Sequence, residues 1–280
     1  MAFITKKNFN SGVNARHLAA LIALFCAVNS WAGPPFVTDD PEPVKLHHWE
    51  FYIASLFQKG TGPSMGTAPH VEINFGAFPE TQLHMIVPAA YAVLNDNSVF
   101  YGAGDTELGV KYRFARETES FPQIGTFPHL ELPTGDSYKD LGAGYLTAFL
   151  PVWVQKSFGP WTTYGGGGLW YNNIGNGNRN YWQTGLVLQR DLSQEITAGA
   201  ELFSFSARSD SLGNETGYNL GMFYNFSEKY HLLFSAGSDF AGPNNLLMYA
   251  AFQWTLGPKT KSAKDYNSQL LLPSSSGAAS

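Results

Sequence analysis

The side chains able to do chemistry in this sequence recur two residues apart. His70 and Glu72, His129 and Glu131, Asp105 and Glu107, and Lys111 and Arg113 keep that spacing, with Glu107 and Lys111 four apart. Residues at i and i+2 share one face of a strand. A His-x-Glu pair holds two residue types that bind zinc, but a zinc site takes three or four ligands. No third is marked out near either pair, so hydrogen-bonded pairs are expected and no metal. Acyl transfer needs a Ser or Cys nucleophile beside a His base. Barrel lipid hydrolases tend to keep His and Ser two apart on a strand face. None of His47, His48, His70, His84, His129 or His231 has a Ser two residues on. The run Gly165 to Gly168 lacks a following Lys-Ser/Thr, so it is no phosphate loop. The pattern therefore argues against an enzyme and asks for no cofactor.

The elements that must carry these residues are strands. The clearest stretch, 105–114, sets Leu108, Val110, Tyr112 and Phe114 against Asp105, Glu107, Lys111 and Arg113. Similar alternation runs through 49–58, 70–77, 82–93, 123–132, 145–156, 161–170, 181–189, 195–205, 218–226, 230–237 and 246–256. Each has about the ten residues that a strand needs to cross a bilayer. The sixth, seventh and eleventh stretches are apolar on both faces and leave their parity open.

Composition agrees. Apolar residues make up 44%, aromatics 15%, and charged residues only 14%, against roughly 25% in ordinary soluble domains. Low charge with many rings excludes disorder. A mean hydropathy of −0.15, with no long apolar run past the N-terminus, excludes a bundle of membrane helices. One Cys excludes a disulfide scaffold, and a net charge of −5 argues against nucleic acid as a partner.

At the start, Lys6, Lys7 and Arg16 precede an apolar run from Leu18 to Val28, and Ser30-Trp31-Ala32 offers a small-x-small cleavage site. This is the pattern of a secretory signal peptide over 1–32. Cys26 and three positive charges would leave with it. A periplasmic segment is expected at 33–48, a barrel at 49–256, and a flexible periplasmic tail at 257–280.

The connections carry a second signal. Segments 59–69, 94–104, 133–144, 171–180, 206–217 and 238–245 read as long and polar, and alternate with shorter turns at 78–81, 115–122, 157–160, 190–194 and 227–229. Outer-membrane barrels place short turns at the periplasmic end and long loops outside. Trp49, Tyr91, Tyr112, Phe114, Trp161, Trp170, Tyr181, Trp182, Tyr224, Phe226, Tyr230 and Trp254 fall near strand ends, where two interfacial girdles are expected. Hydrocarbon offers no partner to a free strand edge, so the sheet must close. The expected fold is an all-β, transmembrane antiparallel barrel of about twelve strands. Its polar alternates would then line the lumen: Glu72, His84, Glu107, Lys111, Arg113, His129, Glu131, Gln183 and Glu201. Those charges either select solutes along a polar path or fill a narrow barrel with ion pairs.

Several motifs add a family resemblance. The stretch from Gly104 to Phe114 resembles the G-D-x-x-L-G-x-K-Y-R-F strand of a proteobacterial outer-membrane transporter family named for the meta-pathway of phenol degradation. Leu130-Glu131-Leu132-Pro133-Thr134-Gly135-Asp136 resembles its E-L-P-T-G-D segment, and the stretch from Gln155 to Trp161, with Tyr164 and the glycine run, its central hairpin. Thr38-Asp39-Asp40-Pro41 and His48-Trp49-Glu50-Phe51 are similar to its mature N-terminus. The resemblance implies a barrel of the twelve-stranded class in the outer membrane that passes small aromatic or hydrophobic compounds. It supplies no catalytic or binding residues. The expected function is thus a passive channel, whose partners are outer-membrane lipid and a small solute. The alternatives are a plugged structural or surface-binding barrel and, behind it, a lipid hydrolase. Oligomeric state is left open.

Overall fold

The computed structural model describes residues 34–60, 63–172 and 177–258. The leader expected at 1–32 lies outside the described residues, as does the tail beyond Pro258. The described chain forms one antiparallel sheet of fourteen strands. In order these are β1 (Trp49–Lys59), β2 (Ser64–Phe78), β3 (Thr81–Val93), β4 (Val99–Ala103), β5 (Thr106–Ala115), β6 (Gln123–Thr126) and β7 (His129–Leu132). They continue with β8 (Thr147–Phe158), β9 (Trp161–Tyr171), β10 (Tyr181–Asp191), β11 (Ile196–Phe205), β12 (Glu215–Asn225), β13 (Tyr230–Ala241) and β14 (Leu246–Leu256).

The sheet closes on itself. β1 pairs with β14 along its whole length, from Trp49 opposite Leu256 to Lys59 opposite Leu246. β4 and β5 both pair with β3 and are halves of one stave, broken at Gly104-Asp105. β6 and β7 both lie between β5 and β8 and are halves of another, broken at Phe127-Pro128. Fourteen strands therefore make a closed barrel of twelve staves, in agreement with the alternating stretches. Each break has a chemical cause. Pro128 has no N–H to give a ladder. The Asp105 carboxylate accepts from the Gly135 and Ala143 amides at 2.9 and 2.6 Å, which ties the long loop 133–146 to the break.

Burial is inverted relative to a water-soluble protein. Leu186, Leu202 and Leu220 are each more than half exposed, while Glu201 is 1% and Gln189 2% exposed. Apolar side chains stand outward and polar ones inward along the staves, the arrangement a bilayer demands. The parities left open by the sequence are resolved: Phe149, Trp153, Gln155, Tyr164, Trp170, Leu233 and Ser235 face in, while Leu150, Val152, Val154 and Phe234 face out. The glycine run serves this packing. Gly166 sits opposite Trp153 with φ of +149°, and a Cβ there would come 3.1 Å from the indole. The inner wall stays thin so that a buried Trp fits.

Three sequence expectations need correction. Two connections expected to be long are short, because β2 begins at Ser64 and β4 at Val99. Those extensions carry little apolar alternation, which is why the pattern missed them. Trp170 and Tyr181 do not belong to a girdle, since they stack on each other inside the barrel at 5.8 Å. Rings such as Trp49, Phe75, Phe51 and Trp254 do stack on the outside at the turn end. Finally, the described part of the segment expected as periplasmic at 33–48 does not hang below the barrel. Residues 34–44 enter the lumen, while 45–47 stay exposed.

Candidate functional site: the lumen and the segment inside it

Residues 34–44 thread the barrel interior from the turn end. Their sequence explains how a strandless segment tolerates burial. Pro34, Pro35, Pro41 and Pro43 have no backbone donor to satisfy. Side-chain oxygens take five of the others. Val37 and Thr38 donate to the Glu201 carboxylate at 3.1 and 2.6 Å. Asp40 donates to Asp39 Oδ1 at 2.7 Å, Glu42 to Asp40 Oδ1 at 2.6 Å, and Val44 to Gln82 Oε1 at 2.9 Å. Outgoing carbonyls are met as well: Gln183 Nε2 donates to the Val37 oxygen at 3.1 Å and Ser235 Oγ to the Pro35 oxygen at 2.6 Å. The wall leaves room for the segment. A Cβ at Gly221 would lie 2.6 Å from the Phe36 ring, and one at Gly185 would strike Thr38 Oγ1.

Charge pairs with charge in the same tier. Lys111 Nζ lies 2.8 Å from Asp39 and 3.6 Å from Asp40, and stands over the Phe127 ring. Arg113 donates to Glu80 at 2.6 Å and to Gln123 at 2.8 Å, with Glu42 at 3.7 Å. Arg116 reaches the same Glu80. Glu80 sits in the short turn between β2 and β3. Burial pushes its carboxyl up, but the hydrogen bonds from Arg113 and Arg116 outweigh this and hold it below the usual carboxylate range.

A second polar group lies further up the wall of β2, β3 and β5. His84 is 2.9 Å from Glu107 through Nε2 and 2.6 Å from Asn74 Oδ1 through Nδ1, with Glu72 at 3.7 Å. Asn74 donates to Glu72 at 2.8 Å and receives Gln82 at 2.9 Å. His129 Nδ1 lies 3.8 Å from Glu107, and Thr147 donates to Glu131 at 2.8 Å. Among the described residues no three His, Cys, Asp or Glu side chains gather as a metal site.

Toward the loop end the interior turns aromatic. Phe149 stacks on Trp170 at 4.7 Å, and Tyr181 contacts Phe205 at 6.3 Å. His129 packs 5.2 Å from both Phe149 and Trp170. Arg208 lies 4.1 Å over Phe205. One side chain joins this tier to the inner segment: Gln183 accepts from the Trp170 indole at 2.8 Å while donating to Val37.

Glu72, His84, Glu107, Lys111, Arg113, His129, Glu131, Gln183 and Glu201 are thus all on the inner wall. The structure brings His84 and Glu107 together with Glu72 and His129, and ties Lys111, Arg113, Gln183 and Glu201 to the inner segment. Lys111 and Arg113 do not pair with Glu131, the acid nearest to them in strand order. Sequence reasoning missed their real partners Asp39, Asp40, Glu42 and Glu80. The visible signal was an acidic run interleaved with prolines just before the first strand.

No family model matches this chain, and no curated protein matches it. Solved structures do match. The COG4313 outer membrane channel from Pseudomonas putida F1 aligns with a TM-score of 0.62 at 12% identity, covering 81% of this chain and all of that one (100%). The translocator domain of the autotransporter NalP from Neisseria meningitidis gives 0.51 at 12% identity over 86% of this chain and 94% of its own. The KdgM porin gives 0.50 at 12% identity over 72% and 98%. At such identities the likeness speaks for the fold: this chain has the closed antiparallel barrel of the outer-membrane channels and porins.

Proposed function

We propose that the protein is an outer-membrane channel for small, largely aromatic or hydrophobic solutes, with residues 34–44 as an inner gate. The observation that carries this reading is the nature of the filling. The lumen is occupied by a segment that adds no strand to the wall and is held by side-chain hydrogen bonds, ion pairs and the packing of Phe36. Such a segment can leave without breaking the barrel. The inverted wall supports a bilayer location, because contiguous outward Leu, Val and Phe would not be stable in water. The short-turn end, where the inner segment enters, would face the periplasm, and the loop end the outside.

Solute entering from the loops would meet the Phe149, Trp170, Tyr181 and Phe205 rings. Planar apolar molecules stack on such rings, which fits the class implied by the resemblance to the phenol-degradation family. A ring wedged beside Trp170 would pull its indole from Gln183, and Gln183 is one of the bonds on Val37. Passage then proceeds down a gradient once the segment shifts, with no chemistry on the solute.

The burial of the segment also favours a second reading, a permanently plugged barrel whose loops do the work. Planar-bilayer conductance separates the two, comparing the barrel with and without residues 34–44. A channel gated by this segment gives rare openings in the intact chain and sustained current after deletion. Liposome swelling should then favour phenol-like solutes over sugars. Silence of the intact chain at every voltage and with every solute would leave the plugged barrel standing.

A further inference from the structure

At the loop end, away from the inner segment, β12, β13 and β14 bring together three buried oxygen-bearing side chains. Glu215 opens β12, Asp239 lies near the end of β13, and Asn245 immediately precedes β14. All are inward and nearly inaccessible, at 8%, 2% and 7% exposed. They are neighbours by register. Asp239 sits opposite Gly217, two residues from Glu215, and its amide donates to the Asn245 carbonyl at 3.2 Å.

Asp239 is the anomaly. Both of its carboxylate oxygens are buried and neither has a hydrogen-bond partner. No Lys, Arg or His pairs with it among the described residues. Arg208 is committed to Glu215 at 3.1 Å. A buried carboxylate with neither hydrogen bonds nor a counter-charge is costly. The backbone passes close beside it. Gly242 has φ of +130°, and a Cβ there would fall 3.1 Å from both Asp239 Oδ2 and Glu215 Cα and 3.3 Å from Glu215 Cβ. The bare backbone at Gly242 therefore packs against both acids, which makes them near neighbours.

We propose that this pair of buried acids binds a hard divalent cation of the calcium class. Asp239 would supply two oxygens and Glu215 one or two. Loop carbonyls and water would complete the shell. Calcium accepts six to eight oxygens in irregular geometry, whereas magnesium demands a compact octahedron and sheds its water reluctantly. A site with two carboxylates at a loop rim fits the former. The ion neutralises Asp239 and ties the 242–245 connection to the start of β12. It would stand beside Arg208 and so set the charge at the mouth of the aromatic tier.

The test is calorimetric titration of the detergent-folded barrel after chelator treatment, with calcium and then magnesium. Folding of each sample is checked by heat-modifiable migration. The intact chain should show one saturable calcium site at about 1 mM or below, the range of extracellular modules, with weaker magnesium binding. Asp239→Asn should bind at least tenfold more weakly. It should also resist heat at least as well as the parent in chelator, and lose the parent's calcium-dependent gain. Absence of saturable binding to the parent, or equal binding by Asp239→Asn, overturns the proposal. Should that variant fail to fold, Glu215→Gln takes its place. Weakened calcium binding supports the site and unchanged binding refutes it.

Discussion

Replacing Glu201 with alanine should unseat the inner segment and open the barrel. Glu201 accepts from the Val37 and Thr38 amides at 3.1 and 2.6 Å, and from Asn219 at 2.6 Å. Hydrogen bonds to a charged group contribute about 1.5–3 kcal/mol each. Losing the two that hold the segment removes about 3–6 kcal/mol before relaxation. Water entering the vacated space re-solvates the amides and returns part of this, leaving about 2–3 kcal/mol. At tenfold per 1.4 kcal/mol, the ratio of unseated to seated segment should rise roughly 30- to 150-fold. Open probability in planar bilayers reads that ratio directly. Glu201→Gln keeps one accepting oxygen and should rise by roughly tenfold. In a chain lacking residues 34–44, Glu201→Ala should add nothing, because the bond it cuts is already gone. If Glu201→Ala stays at the parental level while the deletion opens the barrel, Glu201 is not the latch. If the deletion also fails to open it, the segment is not the block.

Other perturbations act on separate links. Gly221→Val should expel Phe36 without touching any charge, so open probability rises while urea unfolding in detergent changes little; unchanged gating would mean that Phe36 can move aside. Leu220→Arg should destabilise the lipid-inserted barrel by about 2–4 kcal/mol, the cost of a cation on the lipid face near the midplane. Equal stability in vesicles would show that Leu220, 60% exposed, does not face lipid. Glu80 has a folded-state pKa below its unfolded value of about 4.3. The stability it contributes is therefore present above that unfolded value and lost as pH falls through the folded one. Acid should loosen the turn end of β2–β3 in the parent, and Glu80→Gln should flatten that pH dependence; identical acid profiles would refute the assignment. With residues 34–44 deleted, the wall keeps Glu50, Glu72, Glu107, Glu131, Glu201, Glu215 and Asp239 against Lys111, Arg113 and Arg208. Reversal potentials should then show cation preference, strengthened by Lys111→Met, and anion preference would contradict the inner-wall charge balance.

The barrel was legible because lipid imposes a rule on every stave. Leu108, Val110 and Tyr112 against Glu107, Lys111 and Arg113 is a two-residue period, repeated over ten-residue stretches and joined by alternating long and short connections. The stave count and the inward set followed from it. The ambiguous staves were those whose inward residues are themselves apolar, such as Phe149, Trp153 and Leu233. Periodicity reports which face differs, so it falls silent when both faces are greasy. Trp170 and Tyr181 were misplaced for a related reason. A ring near a strand end suits a headgroup girdle and an interior stack equally well, and only strand parity distinguishes them.

The inner segment was illegible because its folding code is not periodic. Its prolines remove donors, and the bonds that tie its amides to the wall reach side chains far away in the chain, from Val37 and Thr38 to Glu201 and from Val44 to Gln82. Such one-to-one pairing leaves no local pattern. The electrostatics nevertheless require something like it. Lys111 is 4% exposed, and a buried ammonium without a counter-charge is strongly disfavoured. Its own stave offers Glu107 four residues away, but His84 already holds Glu107 at 2.9 Å. A fixed partner had to come from elsewhere, and Asp39 with Asp40 fills that need. The two readings weighed from the sequence, ion-pair filling and solute path, are therefore not exclusive. The same ion pairs that fill the barrel are carried in part by a removable segment, so the filled state and the conducting state differ by its position and leave the wall unchanged.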